Sequence, residues 1–274
     1  MAIVSSINKY DTYLKRMEKG IEQKAFFLDR LGGFKAVLDY GCANGALITY
    51  LMMRRPNVKY FGYDNNPEMV ARAKKNIQDF IDEHSLAGVE WFISDNLEEI
   101  MNRIKTEETI LNLSSVLHEI YAYCSEPEIQ EFWNFVNSHK FLAITIRDMF
   151  PATMHGETLN ASVKNNFASA IMSDMQLQKQ LKDYVEHWGI VNDWTNLLHF
   201  LLKYKYLDNW GREVKERYFF MSCYNFEDMM VNWGYYKKHS RHFNLPHMVK
   251  NINEEFGFSI ATRTTHSEFI FVKK

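Results

Sequence analysis

The sequence of 274 residues has few cysteines, no excess of charge of either sign and no long hydrophobic run. Its three cysteines are widely spaced and odd in number, so they form neither a disulfide framework nor a Cys-x-x-Cys metal knuckle. Such cysteine usage is typical of a reducing compartment. With 46% hydrophobic residues, the composition predicts a globular protein, and the length suits one domain with a large insertion.

The charges nearly cancel, since 32 basic residues stand against 34 acidic ones and the formal net charge is −2. The chain therefore lacks the global basic field that accompanies many nucleic-acid-binding proteins. The uncharged segment Tyr40–Met53 is too short and too interrupted by glycine to span a bilayer. Residues 1–20 lack the apolar core of a signal peptide. We predict a soluble, cytoplasmic protein without a membrane partner.

Short runs rich in Val, Ile, Leu and Phe alternate with helical patterns from residue 36 to residue 146. This alternation predicts an α/β fold with a doubly wound, mostly parallel sheet that helices cover on both faces. The predicted strands are Ala36–Asp39, Tyr60–Asp64, Glu90–Ser94, Thr109–Leu113 and Phe141–Ile146. The predicted helices between them are Ala46–Met53, Pro67–Glu83, Leu97–Arg103 and Glu126–Ser138.

Two regions outside this alternation are predicted to be helical. Residues 1–33 have apolar residues at helical spacing and end at Gly32-Gly33, which predicts an N-terminal helical cap on the core of residues 34–150. Residues 151–245 lack strand alternation and predict a large helical insertion after the fifth strand.

Residues 246–274 are predicted to complete the core. A helix is expected at His247–Phe256, with Gly257 as its end. The strand-like runs Phe258–Arg263 and His266–Val272 then predict an antiparallel C-terminal hairpin at the edge of the sheet.

The first predicted strand leads into a loop with two glycines. Residues 37–45 read V-L-D-Y-G-C-A-N-G, and the helical A-L-I-T-Y-L follows at once. Such a turn before a helix N-terminus lets the backbone approach a ligand closely. The spacing of Gly41 and Gly45 is not the dinucleotide G-x-G-x-x-G, and Asp39 stands two residues before the first glycine. This pattern favours a ligand with an ammonium group over the pyrophosphate of NAD.

This loop resembles motif I, D-x-G-x-G-x-G, of the class I S-adenosylmethionine-dependent methyltransferases, with Cys42-Ala43 departing from the commonest form. The resemblance continues at Asp64 in F-G-Y-D-N-N-P-E-M, at Asp95 in W-F-I-S-D and at Asn112–Ser115 in the motif IV position. It implies a methyltransferase with a seven-stranded sheet of order 3-2-1-4-5-7-6 and S-adenosylmethionine as its cofactor.

The resemblance also implies roles for individual residues. Asp64 is expected at the two ribose hydroxyls, Asp95 at the adenine amino group, and the motif IV residues beside the methionine half of the cofactor. A tight turn or a helix cap explains any one of these residues equally well, but their occurrence in order favours the cofactor site. The expected cofactor-binding residues are Asp39, Gly41, Cys42, Ala43, Gly45, Asp64, Asn65, Asp95, Asn96 and Ser114.

Three polar residues near the carboxyl edge of the predicted sheet are candidates for catalysis. His118 follows motif IV and is suited to act as a general base because its ordinary pKa lies near neutral pH. The alternative is a histidine that caps the pocket or bonds to backbone. Glu119 beside it and Arg147 at the end of the fifth strand complete the candidates, with a structural ion pair of Arg147 and Asp148 as the alternative. No metal site is predicted.

The acceptor of the methyl group is left open by the sequence. Without Pro-Pro or Pro-Cys, the chain lacks the motifs of amino-methylating DNA enzymes and of cytosine-C5 enzymes. Residues 200–250 carry nine Lys and Arg against five Asp and Glu, interleaved with aromatics, which favours RNA or a nucleotide bound under the insertion as a lid. The alternatives are a small-metabolite methyltransferase whose insertion aromatics form their own core, and a non-catalytic subunit that binds cofactor or RNA.

Overall fold

Seven strands form one sheet in the computed structural model, which describes residues 20–86, 88–152 and 156–274. The strands are β1 (Ala36–Tyr40), β2 (Lys59–Tyr63), β3 (Trp91–Ser94), β4 (Thr109–Ser114), β5 (Ala143–Asp148), β6 (Tyr235–Phe243) and β7 (His266–Lys273). The helices before β5 are α1 (Ile21–Lys24), α2 (Ala46–Arg54), α3 (Pro67–His84), α4 (Leu97–Met101), α5 (Leu117–Tyr123) and α6 (Glu126–His139). Those after β5 are α7 (Ala161–Ser173), α8 (Met175–Trp188), α9 (Trp194–Leu201), α10 (Trp210–Glu213), α11 (Cys223–Asn232) and α12 (Pro246–Phe256).

The strand order is β3-β2-β1-β4-β5-β7-β6, as expected. Strands β1 to β5 pair in parallel, and β7 runs antiparallel to both β5 and β6. The prediction of a mostly parallel sheet with an antiparallel edge is therefore confirmed. Because the first five strands share one direction, their carboxyl ends and the loops that follow them lie along one edge of the sheet.

One strand of the predicted C-terminal hairpin is wrong. Strand β7 matches the second predicted run, but residues 258–263 contain no strand. The partner of β7 is β6, at 235–243, within the segment predicted to be mostly helical and without strands. Its sequence, Y-Y-K-K-H-S-R-H-F, carries no hydrophobic alternation because most of its side chains are at least partly exposed at the edge of the sheet.

Local side-chain hydrogen bonds explain where several helices begin. The Asn66 side chain accepts from the Glu68 backbone N–H, and Pro67 occupies the first turn of α3. Asn96 caps α4 in the same way. Ser125 and Glu128 form a reciprocal capping box at the start of α6. These helices thus begin at polar capping residues that can be recognised in the sequence.

Two apolar clusters cover the sheet, and a third lies in the insertion. One sheet cluster joins β4 and β5 to α6 and α11, and the other joins β1 and β2 to α2 and α3. The third packs α7, α8 and α9 against α12, through buried aromatics such as Tyr184, Phe200 and Phe256. This cluster gives the insertion a core of its own, which extends to the C-terminal helix.

The described part of residues 1–33 is short. The predicted cap lies mainly in residues 1–19, which fall outside the described residues. Helix α1 is followed by buried Phe26, Phe27 and Leu28, which pack in the cluster with α2. Among the residues that the structure describes, no helix combines the length and hydrophobicity needed to cross a membrane.

Gly62 of β2 lies in tight packing beneath the motif I loop. A Cβ at this position would lie 2.6 to 2.9 Å from side-chain atoms of Ile93, Cys42 and Ile48, closer than packed atoms approach. We expect Gly62→Ala to lower the free energy of unfolding by about 1 to 3 kcal/mol, measured by urea denaturation. Gly32→Ala is the control, since a Cβ there meets nothing within 4 Å. Equal stability of the two variants would contradict this packing.

Candidate active site

The loop after β1 is bound to the end of β2 by backbone hydrogen bonds. The N–H groups of Gly41 and Cys42 donate to the Tyr63 carbonyl at 2.7 and 2.9 Å. Gly41 and Gly45 have φ angles of 80° and 77°, which glycine adopts without strain. The Cys42 side chain is buried in the apolar cluster. The Cys42 thiol therefore points away from the ligand side of the loop, so only the Cys42 backbone is available for the predicted contact with the cofactor.

Asp64 connects this loop to the start of α3. One carboxylate oxygen accepts the Ala43 N–H at 2.9 Å, and the other accepts the Asn66 N–H at 3.0 Å. Burial raises the pKa of Asp64, although these two hydrogen bonds oppose the shift. The carboxylate retains free lone pairs, as a bidentate acceptor for two hydroxyls requires.

Asp39 begins a chain of buried hydrogen bonds across three strands. The Asn112 side chain donates to the Asp39 carboxylate at 2.7 Å, and the Thr145 hydroxyl donates to the Asn112 side-chain oxygen Oδ1 at 2.8 Å. Burial raises the pKa of Asp39 to about 6, while Asn112 and the nearby Lys24 lower it. This carboxylate is thus held rigidly below the motif I loop, where it can attract a cation.

The remaining predicted cofactor residues lie at the ends of β2, β3 and β4. Asn65 and Asp95 are exposed. The Asn96 side chain is engaged in capping α4, which a sequence pattern does not distinguish from ligand binding. Ser114 is buried at the end of β4, and its hydroxyl has no hydrogen-bond partner. An unpaired buried hydroxyl is costly, so its position favours contact with a ligand.

His118 lies on α5 and is buried between two acidic side chains. Its Nδ1 is 2.7 Å from Asp148 Oδ1 at the end of β5, and its Nε2 is 3.6 Å from Glu216 Oε2 of the insertion. Burial opposes the charged ring, but the two carboxylates outweigh it and raise the pKa of His118 to about 9. The ring is therefore protonated at neutral pH, which disfavours the predicted role of general base.

Glu119 and Arg147 are both tied to neighbouring elements. Arg212 of the insertion contacts Glu119 at 2.6 Å and Glu216 at 3.1 Å. Arg147 donates to the Gln23 side chain at 3.1 Å, while its buried Nε has no partner. The ion pair of Arg147 with Asp148, the alternative to a catalytic role, is not among the salt bridges of the described residues, and Asp148 binds His118.

The insertion contributes charged residues that sequence reasoning missed. Glu216 and Glu213 stand three positions apart and are both buried, and burial raises the pKa of Glu213 to about 8. Lys203 is also fully buried, and burial lowers its pKa to about 7. The only signal in the sequence was the i, i+3 spacing of the two glutamates, within a charged run that reads equally well as an exposed surface.

Comparison with known proteins identifies a domain type. Residues 34–83 match the family model described as a methyltransferase domain. No curated protein matches the chain.

Similar solved structures include the methyltransferase domain of bacterial CtHen1-C, at 15% identity and a TM-score of 0.48, covering 93% of this chain and 97% of that one. A SAM-dependent methyltransferase from Archaeoglobus fulgidus has 12% identity and a TM-score of 0.48, with 95% and 99% covered. The plantazolicin methyltransferase BamL, in complex with a substrate analogue and SAH, has 13% identity and a TM-score of 0.47, with 98% and 89% covered.

The strand order and the loop after β1 define a class I methyltransferase fold, and the matched family model covers that loop. Residues 34–83, which include the motif I loop and Asp64, thus match a methyltransferase domain, and S-adenosylmethionine is the cofactor that such a domain implies.

The residues present fit this cofactor. It supplies a methyl group already activated by its sulfonium, so the chain has mainly to bind and orient the reactants. We propose that Asp64 would hold the ribose hydroxyls, Asp39 the ammonium group, and the unpartnered Ser114 hydroxyl the methionine half. The buried hydrogen bonds of Asp39 hold its carboxylate in place before the ligand arrives.

Asp64→Ala tests the cofactor site. We expect it to weaken binding of S-adenosylhomocysteine at least about tenfold, because the variant loses the bidentate acceptor and the tie to Ala43. Isothermal titration calorimetry measures the affinity. Asp79→Ala is the control, since Asp79 is an exposed α3 residue paired only with Lys75. Unchanged affinity in Asp64→Ala would remove Asp64 from the site.

The raised pKa of His118 predicts a pH-dependent stability. Its folded value of about 9 lies above its ordinary value of 6.5, so the stabilisation is full below pH 6.5 and is lost as pH rises to 9. Between these pH values, we expect wild type to lose up to about 3 kcal/mol more stability than His118→Gln. Lys203 and Glu213 titrate in the same interval, so the comparison uses urea unfolding of both proteins at both pH values. Parallel pH profiles would contradict the assignment.

Proposed function

We propose that this methyltransferase acts on a small polar acceptor bound where α5 meets residues 212–218 of the insertion. The observation that carries this proposal is the set of charged side chains enclosed at that junction, with His118, Asp148 and Glu216 all less than 9% exposed. An enclosed site with a few convergent polar groups suits a small molecule, which can be surrounded on most sides.

The aromatic side chains of the insertion support the same choice. Stacking on bases requires exposed rings, but most of the rings that suggested RNA are buried in the insertion or the sheet. Rings of residues 200–250 with less than 10% exposure include Tyr204, Trp210, Tyr218 and Tyr235. The insertion aromatics therefore serve as core, the alternative that the sequence had left open.

The basic residues of the same segment are also mostly engaged. Lys203 is buried, while Lys205 pairs with Glu255 and Lys237 with Glu227. Arg212 contacts Glu119 and Glu216 at the junction. These ion pairs offset part of the local positive charge available to a phosphate backbone, while Lys215, Arg217 and Lys238 are exposed.

One observation favours RNA or a nucleotide as the second candidate. A cavity of about 440 Å³ between α1, α2 and β6 is lined by four arginines, Arg30, Arg54, Arg55 and Arg241. Arginine is well suited to bind phosphate because its guanidinium donates two hydrogen bonds in parallel. The cavity also contains Glu22, Asp29 and Glu268, which reduce its positive charge.

Transfer of a radiolabelled methyl group from S-adenosylmethionine distinguishes the two candidates. We expect label in the small-molecule fraction when the protein is offered total RNA, DNA, protein and small molecules in separate reactions. Label confined to RNA would contradict the small-acceptor proposal. In that event, Arg54→Ala with Arg241→Ala should lower RNA affinity and its salt dependence, as loss of phosphate contacts does.

A further inference from the structure

Three metal-ligand side chains meet where the insertion contacts α5. A ring nitrogen of His118 and a carboxylate oxygen each of Glu119 and Glu216 lie within 4.8 Å of one another. No other group of three or more such residues occurs in residues 20–86, 88–152 and 156–274. We propose that these three side chains bind a divalent transition-metal ion, of which Mn²⁺ is the best probe.

The distances already approach those of a bound ion. Ligand atoms at about 2.1 Å from one metal ion lie roughly 3 to 3.5 Å apart in octahedral or tetrahedral geometry. His118 Nε2 and Glu216 Oε2 are 3.6 Å apart. The ligand atoms of all three side chains lie within 4.8 Å of one another, so the carboxylates of Glu119 and Glu216 have to move closer to bind one ion.

The donor set selects the kind of metal. One imidazole nitrogen and two carboxylates suit Mn²⁺, Fe²⁺ or Zn²⁺, whereas Mg²⁺ and Ca²⁺ prefer oxygen ligands alone. No thiolate is part of the group, and the free cysteines lie elsewhere. Three protein ligands leave coordination positions open, so the bound ion could act as a Lewis acid towards a polar acceptor group.

His118 is oriented as metal-binding histidines commonly are. Its Nδ1 is hydrogen-bonded to Asp148 at 2.7 Å, which leaves Nε2 directed at Glu216. A metal ion at Nε2 replaces the proton that this nitrogen carries in the charged ring, so binding releases one proton. The backbone N–H of Leu117 donates to the other Asp148 oxygen at 2.9 Å and keeps that carboxylate in place. A carboxylate that fixes the ring through its second nitrogen is the usual outer partner of a metal-bound histidine.

The positive charge of Arg212 lies between the carboxylates of Glu119 and Glu216. Its guanidinium contacts Glu119 Oε1 at 2.6 Å and Glu216 Oε1 at 3.1 Å. A metal ion that binds these carboxylates must displace Arg212, whose side chain is 36% exposed. Arg212 therefore competes with the metal, and its removal should strengthen metal binding.

The test measures Mn²⁺ binding to the metal-stripped full chain. The electron paramagnetic resonance signal of the free ion reports how much Mn²⁺ is bound. We expect Glu216→Gln and His118→Ala to weaken binding at least about tenfold, and Asp148→Asn, which loses only the outer partner, by about 10- to 100-fold. Arg212→Gln should bind Mn²⁺ more tightly than wild type. Glu227→Gln is the matched control, since this glutamate pairs with Lys237 on the surface, and should bind as wild type does.

Absence of bound Mn²⁺ in wild type, or Glu216→Gln and Arg212→Gln that bind like wild type, would overturn the proposal. Circular dichroism of each variant identifies one that fails to fold, and Arg212→Gln then remains decisive because it predicts a gain. The metal site does not depend on which acceptor is used. Labelled transfer to RNA would refute the small-acceptor proposal and leave the Mn²⁺ result unchanged.

Discussion

The buried carboxylate of Asp148 is the interaction on which the arrangement of the active site depends. It accepts hydrogen bonds from the His118 ring and from the backbone N–H groups of Leu117 and Met149. These contacts tie the first turn of α5, which follows β4, to the end of β5, where the insertion begins. Because the group is fully buried and fully paired, removing any partner leaves a costly unpaired charge.

The insertion contacts α5 beside this buried carboxylate, through Glu216 and His118. Helices α7, α8 and α9 share an apolar cluster of their own, which α12 joins. From this support, Glu216 and Arg212 reach His118 and Glu119. Charged groups enclosed between two well-packed bodies experience a low effective dielectric, which explains the large pKa shifts of His118 and Lys203.

Much of the fold could be predicted because its signals are local. Buried parallel strands read as apolar runs, and polar caps such as Asn66 and Ser125 mark the starts of helices. The edge strand β6 could not, since its exposed residues carry no apolar pattern. The motif I loop was recognisable for the same local reason, as its glycines occupy positive φ angles between a strand and a helix.

The sequence by itself determined the five parallel strands, the cofactor loop and the candidate residues at the strand ends, since each depends on neighbours in the chain. Tertiary structure alone decided the state of those residues. The pKa of His118 is raised because Asp148, 30 positions away, and Glu216, in the insertion, lie on either side of the ring. The insertion aromatics form a core for the same reason, because burial depends on which distant surfaces meet.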